Sequence, residues 1–486
     1  MTLSLYNSMG RRVEEFKPIH DSEVRLYACG PTVYNYAHIG NLRTFLFEDL
    51  LVRALTYLGY RVTHVMNITD VGHLTDDGDD GEDKMMKTAR ERKLSPWEIA
   101  EFYTKAFFED TEKLNIQKPS IVCRATEHIQ DMIALVKQLE DRGYTYQAGG
   151  NVYFDISKFP RYGELASLDQ ENLQAGARIE VDQNKRNPRD FVLWFTNSKF
   201  EHQAMVWDSP WGQGYPGWHL ECSAMSRKYL GDQFDIHCGG VDHVPVHHTN
   251  EIAQTEAATG KSPWVRYWLH AEFLLTKAFK MSKSSGNFLT LSRLEEMGYT
   301  PMDYRFFCLG AHYRTQLTFT EQALQAAQSA RRNLMSRVGT LPDMDTARRQ
   351  EGVSGLSEKA LEYRRQFTQH IADDLNMPRG LADAWAVVKD KELQPWEKRL
   401  LIAGMDTIFG LGLGDFTAPE EDQVSQESLD PELVRRIELR IQDRNEARKN
   451  RNFSLADSIR DELKSEGIML IDTPQGTTWT PAEEKL

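Results

Sequence analysis

The fold is decided by Val24-Arg25-Leu26-Tyr27-Ala28-Cys29, followed across a short loop by His38-Ile39-Gly40-Asn41 and then by a periodic stretch from Leu42 to Leu58. The apolar run reads as a strand and the periodic stretch as a helix, so His38 to Asn41 is a strand-to-helix turn. Parallel α/β sheets bind their ligands at such turns, outside the carboxyl ends of the strands. A second segment, Lys280-Met281-Ser282-Lys283-Ser284, lies far along the chain and follows the apolar Phe273-Leu274-Leu275. Two lysines between hydroxyls on a loop offer mobile ammonium groups that can clamp a triphosphate.

Working outward, strand-like runs such as Arg61 to Met66 alternate with helical ones from residue 20 to about 110, as in a doubly wound fold. Between about 113 and 205 a helical Ala125 to Gly143, a strand-like Asn151-Val152-Tyr153-Phe154 and a polar stretch through Asn184-Lys185-Arg186-Asn187-Pro188 read as an insertion. The expected class is α/β, a Rossmann-type doubly wound parallel sheet with an inserted subdomain, then a helical bundle and a small C-terminal module. The boundaries expected are 1–112 and 206–318 for the two halves of the nucleotide domain, 113–205 for the insertion, 319–415 for the bundle and 416–486 for the module.

At 486 residues and 40% apolar content the chain can build roughly three domains rather than one core. No N-terminal apolar segment fits a signal peptide and no run reaches the length of a membrane span, so a cytoplasmic protein without membrane contact is expected. Five cysteines (Cys29, Cys123, Cys222, Cys238 and Cys308) at irregular spacing form no disulfide framework, which suits a reducing compartment. The net charge of −14 is awkward for an RNA-binding protein unless a local basic surface exists. Arg435 to Arg451 is the candidate: arginines recur at four-residue spacing there, as on one helical face, although a solvated face laced with ion pairs explains the pattern equally well. The acidic run Asp76 to Asp83 fails the spacing of a calcium loop, because Gly78 and Lys87 would fall on ligand positions, and reads as a solvated loop.

His247 and Glu251 stand four apart in a helix expected to open at Pro245, which places both on one face at metal-ligand spacing. Cys222 lies on another expected helix and Cys29 ends the strand before the nucleotide turn, so folding can join the four; two thiolates, an imidazole and a carboxylate suit zinc. Spacing alone leaves His219, His237, Cys238, His243 and His248 open as alternatives.

The two loops, taken with Tyr27-Ala28-Cys29-Gly30-Pro31-Thr32-Val33-Tyr34, Asn67-Ile68-Thr69-Asp70, Pro216-Gly217-Trp218-His219-Leu220-Glu221-Cys222-Ser223 and Asp472-Thr473-Pro474-Gln475-Gly476-Thr477-Thr478-Trp479, resemble the class I aminoacyl-tRNA synthetases and, among them, the cysteinyl-tRNA synthetases. The resemblance covers essentially the whole chain. It departs from the common form at Asn41, where many members carry a second histidine, and at Tyr215, where arginine is frequent; Asn41 can donate a hydrogen bond but cannot be protonated. The resemblance assigns one zinc ion to Cys29, Cys222, His247 and Glu251.

It also implies ATP-dependent ligation of L-cysteine to tRNA(Cys) through a cysteinyl adenylate, with magnesium accompanying ATP, by a chain expected to act as a monomer. His38, Gly40 and Asn41 would hold ATP, and Lys280, Met281, Ser282, Lys283 and Ser284 would frame its phosphates, with His38, Asn41, Lys280 and Lys283 catalytic. Thr69 and Trp218 would hold the cysteine, and Arg448, Phe453, Asp457 and Asp472 would read the anticodon, with Trp479 available for stacking. Zinc explains the choice of substrate: an apolar pocket separates near-isosteres by only about 10², whereas a metal binds cysteine's sulfur as thiolate and leaves serine's hydroxyl behind. Three other functions fit parts of the pattern. A cysteine ligase acting on an amino sugar would not need the terminal module, a zinc hydrolase would not need the lysine loop, and a non-catalytic zinc-containing RNA-binding protein would need neither His38 nor the lysines.

Overall fold

The computed structural model describes residues 2–71, 84–167, 182–196, 205–276, 289–417, 431–450, 452–466, 468–473 and 476–481. Its centre is a parallel sheet of β1 (Glu23–Ala28), β2 (Arg61–Ile68), β3 (Ile121–Arg124), β4 (Phe234–Gly240) and β5 (Val265–Ala271), in the order β5-β4-β1-β2-β3. The chain winds from β1 outward through β2 to β3, then returns to place β4 on the other side of β1. The strand order therefore reverses between β1 and β4, the position beyond whose carboxyl ends open α/β sheets bind their ligands. Helices cover both faces, so the strands are largely buried; every residue of β4 is buried, Asp235 and His237 included.

The two faces form separate cores. Leu26, Ala28, Ile236 and Cys238 meet Leu42, Phe45 and Leu46 of α1 (Ile39–Tyr57) on one side. Tyr27, Val65 and Phe234 meet α2 (Trp218–Leu230) and α3 (His247–Thr259) on the other. Helix α3 begins at His247, with Pro245 just ahead of it, and stops at Gly260, whose φ of 70° is a left-handed cap that glycine adopts without strain.

A four-stranded antiparallel sheet of Thr145–Ala148, Asn151–Phe154, Phe191–Phe195 and Tyr215–Pro216 packs beside this core. The parallel sheet thus draws β3 from within the 113–205 stretch, and the antiparallel sheet runs on to Pro216. Helices Glu321–Gly339, Met344–Ser354, Glu358–Ala372, Met377–Lys389 and Pro395–Phe409 follow. Arg305 pins them to the sheet domain: it is 1% exposed and donates to Asp49 Oδ2 at 2.6 Å, Leu114 O at 2.8 Å and Phe409 O at 2.6 Å. A buried guanidinium is tolerable only when satisfied in this way.

Residues Met1–Thr417 form one compact unit and Ala418–Leu486 a second. In the second, α4 (Pro431–Lys449) and α5 (Phe453–Ser465) pack with an antiparallel hairpin of Ile468–Thr473 and Gly476–Pro481 around Ile437, Ile441, Ile459, Leu463 and Ile468. Among the described residues, no helix is long and apolar enough to cross a membrane.

Candidate metal centre and nucleotide site

Cys29 leaves the end of β1 at the strand reversal, and its amide donates to Cys238 O at 3.1 Å. From the covering helices come Cys222 on α2 and His247 and Glu251 on α3. One ligand atom from each of these four lies within 4.8 Å of the others, and all four residues are buried. The helical i, i+4 spacing puts His247 Nε2 3.0 Å from Glu251 Oε1, while the other ring nitrogen, Nδ1, is engaged by His219 Nδ1 at 2.9 Å and so turns Nε2 inward. Burial works against charge on both partners, yet the imidazoles of His237 and His247 hold the Glu251 carboxyl down to about 2, and Glu251 and Cys222 hold His247 up to about 10. A hydrogen bond from Cys29 and the nearby His247 lower the Cys222 thiol against its burial, whereas burial raises Cys29.

Sulfur, nitrogen and oxygen donors at this spacing fit zinc. Glu251 Oε1, fully buried, accepts no properly aligned hydrogen bond among the described residues although His247 Nε2 is so near, which is the arrangement of two ligands around a cation. Cys238 is not part of this set. Adjacent strand residues face opposite sides, so Cys238 packs in the α1 core with its thiol toward Tyr27 O at 3.7 Å, and burial raises its pKa.

Trp218 opens α2, half-buried, with its ring 4.5 Å from that of His247 and tilted by 36°. Thr69 Oγ1 donates to Glu221 Oε2 at 3.1 Å and accepts from Asn67 Nδ2 at 3.0 Å, and Asn67 Oδ1 accepts from Gly30 N at 2.9 Å. This hydroxyl is therefore wired to the backbone beside Cys29.

His38 caps α1: its Nδ1 accepts from Asn41 N at 3.1 Å, while Asn41 Oδ1 accepts from His38 N at 3.2 Å. The reciprocal pair is a capping box in which asparagine takes the usual Glu or Gln position. Burial pushes the His38 pKa down, partly opposed by Asp242, and a neutral ring accepting at Nδ1 carries its proton at Nε2. A Cβ on Gly40 would meet the His38 ring at 2.9 Å. Lys280, Met281, Ser282, Lys283 and Ser284 lie outside the described residues. The next described residue is Leu289, whose carbonyl accepts from Ile39 N at 2.8 Å.

A family model of the class I (C) tRNA synthetase catalytic domain matches residues 15–329. Curated relatives match from end to end: the cysteine-tRNA ligase of Treponema denticola is 54% identical over 99% of this chain and 99% of its own, and that of Borrelia hermsii is 47% identical over 98% and 99%. The chain belongs to the cysteine-tRNA ligase family. It is thus a class I aminoacyl-tRNA synthetase, and the amino-sugar, hydrolase and non-catalytic readings fall away. The solved methionyl-tRNA synthetase of Mycobacterium tuberculosis bound by methionyl-adenylate aligns over 81% of this chain and 93% of its own, with a TM-score of 0.55 at 13% identity, and shares the fold.

In the terminal unit of this cysteine-tRNA ligase, Arg448 and Asp457 are exposed, while the side chains of Phe453 and Asp472 lie outside the described residues. Arg436 pairs with Glu466, and Arg440 with Asp443 and Glu462, so part of the basic face is spent inside the unit. Trp479 packs against its core. Sequence reasoning passed over Asn67 and Glu221, although the motifs around Thr69 and Trp218 contain them, and saw His237 and His248 only as alternatives; the latter two form a second possible metal set with Cys29 and Glu251.

Proposed function

We propose that this ligase activates L-cysteine with ATP to cysteinyl adenylate, then transfers the cysteinyl group to a terminal ribose hydroxyl of tRNA(Cys), which forms the ester as the acyl–phosphate bond breaks and AMP leaves. The observation that carries the reading is the convergence of Cys29, Cys222, His247 and Glu251 at the carboxyl end of β1, beside the capped turn at His38. In the first step the cysteine carboxylate attacks the α-phosphorus of ATP, which enters with magnesium; a P–O bond forms, the α–β bridging bond breaks and pyrophosphate leaves. Chemistry of this kind needs positioning and charge stabilisation more than covalent catalysis.

His38 presents Nε2–H to the phosphates because its Nδ1 is occupied as the cap. Asn41 keeps that ring in place, and Gly40 leaves room beside it for the adenosine. Lys280 and Lys283, with Met281, Ser282 and Ser284 framing them, offset charge developing on pyrophosphate. Cys29, Cys222, His247 and Glu251 would hold zinc, which when bound would offer the substrate sulfur a position, favour its thiolate and so select cysteine over serine. Trp218 walls that position against His247, and Thr69 holds the polar end of the amino acid. Arg448, Phe453, Asp457 and Asp472 read the anticodon by edge contacts and stacking.

The test is cysteine-dependent ATP–pyrophosphate exchange. Wild type should exchange with cysteine and not with serine, and Lys283→Ala should lower the rate by about 10²–10³ with cysteine binding nearly intact. Equal exchange with serine, or a Lys283→Ala variant that loses only cysteine affinity, would sink the reading.

A further inference from the structure

The donors gathered around Cys29 outnumber those of one metal centre. We propose that the centre has a second, inner seat for a divalent metal ion, formed by Cys29, His237, His248 and Glu251, and that one ion can occupy either seat. The proposal rests on the zinc centre of the preceding reading, here the outer seat.

Ligand atoms of the inner four also lie within 4.8 Å of one another, and all four residues are buried. The two seats share Cys29 and Glu251. Glu251 turns Oε1 toward His247 Nε2 at 3.0 Å and Oε2 toward His237 Nε2 at 2.9 Å, and Oε1 also stands 3.9 Å from His248 Nε2, so the carboxylate lies between the two sets. Cys29 Sγ stands 3.3 Å from His248 Nε2. Donors on one tetrahedral zinc stand about 3.3–3.8 Å apart, a separation that Cys29 Sγ and His248 Nε2 already have.

His248 is already aimed. Its Nδ1 is engaged by His270 Nε2 at 2.8 Å, and His270 Nδ1 in turn by Ser8 Oγ at 2.7 Å, the outer hydrogen-bond pattern that orients a ligating imidazole. Among the described residues the one hydrogen bond of the His237 side chain is to Glu251, the contact that a shared ion replaces.

The seats differ in chemistry and access. Two thiolates make the outer seat the better one for zinc, whereas one thiolate and two imidazoles make the inner seat acceptable to cobalt and nickel as well. The residues that distinguish the inner seat, His237 and His248, are 0% exposed, whereas the outer seat adjoins half-buried Trp218, so substrate has its approach on the outer side. Because the inner seat does not use Cys222, losing that thiolate should move the ion inward, silent, rather than release it. One ion per chain is expected, since thiolate and carboxylate are common to both seats.

The experiment compares full-length wild type, Cys222→Ser and Cys222→Ser/His237→Asn, each stripped with chelator, reloaded with zinc or cobalt and gel-filtered. Cys222→Ser should keep about one ion per chain, with roughly half the thiolate-to-cobalt charge-transfer absorbance because one sulfur replaces two, and should lose cysteine-dependent exchange. The double variant should keep neither metal. If it does not fold, X-ray absorption of zinc-loaded Cys222→Ser decides: one sulfur with two imidazoles supports the inner seat, and one sulfur with one imidazole overturns it. A folded, metal-free Cys222→Ser also overturns it, as does a double variant that binds like the single. These outcomes concern the inner seat alone; a wild type with neither zinc nor cysteine-dependent exchange would sink the proposed function instead.

Discussion

Gly30→Ala should empty the metal centre although Gly30 offers no ligand. The Cβ it adds would lie 1.6 Å from Asn67 O, 2.7 Å from Asn67 C and 3.0 Å from Met66 Cγ, against an ordinary contact of 3.4–4 Å. The ends of β1 and β2 must therefore separate by about 1.8 Å, an overpacking that typically costs 1–3 kcal/mol. Cys29 is the preceding residue, and Gly30 N is the donor to Asn67 Oδ1 at 2.9 Å, so the displacement falls on the ligand-bearing turn. Metal–ligand distances tolerate only about ±0.2 Å, almost ten times less than the opening required. Cys29 serves both proposed seats, so neither survives. Zinc per chain, measured by mass spectrometry after gel filtration and with circular dichroism to verify folding, should fall to near zero, and cysteine-dependent exchange should fall with it. Gly352→Ala, in helix Met344–Ser354 with nothing within 4 Å of its added Cβ, is the control; it should keep zinc and gain about 0.5–1 kcal/mol. A folded Gly30→Ala that binds zinc with wild-type affinity would refute the reasoning that this turn sets the ligand position.

Thr69→Val removes hydrogen bonds of 3.0 and 3.1 Å to Asn67 and Glu221 and strands buried polar groups at about 1–3 kcal/mol; exchange should fall about 10- to 100-fold, and an unchanged rate would remove Thr69 from the site. Burial pushes His64 down to about 4, against the opposite pull of Asp49, from an ordinary 6.5. It stays neutral in the fold while the unfolded chain takes up a proton, so its contribution is intact above pH 6.5 and is lost as pH falls toward 4, about 3 kcal/mol in all. Denaturant unfolding of wild type should therefore weaken by about 2 kcal/mol more than that of His64→Leu between pH 7.5 and 5; parallel losses would contradict this. Cys238→Ala should keep full zinc, because that thiol faces the α1 core, and metal loss in the folded variant would return Cys238 to the ligand set. Arg448→Ala should leave ATP–pyrophosphate exchange untouched and cost about 1–3 kcal/mol in aminoacylation of tRNA bearing the cysteine anticodon; unaltered discrimination against a changed anticodon would place that reading elsewhere.

The sequence alone determined what depends on local geometry and on motif. A strand, a turn at His38 and a helix follow from periodicity, and the one-face placement of His247 and Glu251 follows from 3.6 residues per turn wherever that helix sits. The motifs around Cys29, Thr69 and Trp218 were enough to identify the family. Tertiary structure decided what lies across from each side chain. His237 and Cys238 are neighbours with equal claims on a metal by composition, yet strand alternation sends one toward the cluster and the other into the α1 core, and only long-range packing of α1 against one face and α2 and α3 against the other decides which. Arg436 and Arg440 belong to the same basic pattern as Arg448, but α5 brings Glu462 and Glu466 to meet them, and Trp479 closes a small core. Helical and strand periods are properties of the backbone and can be read residue by residue; which polar group is paired, buried or left facing a ligand depends on other segments of the chain, and so becomes legible only once the chain has folded.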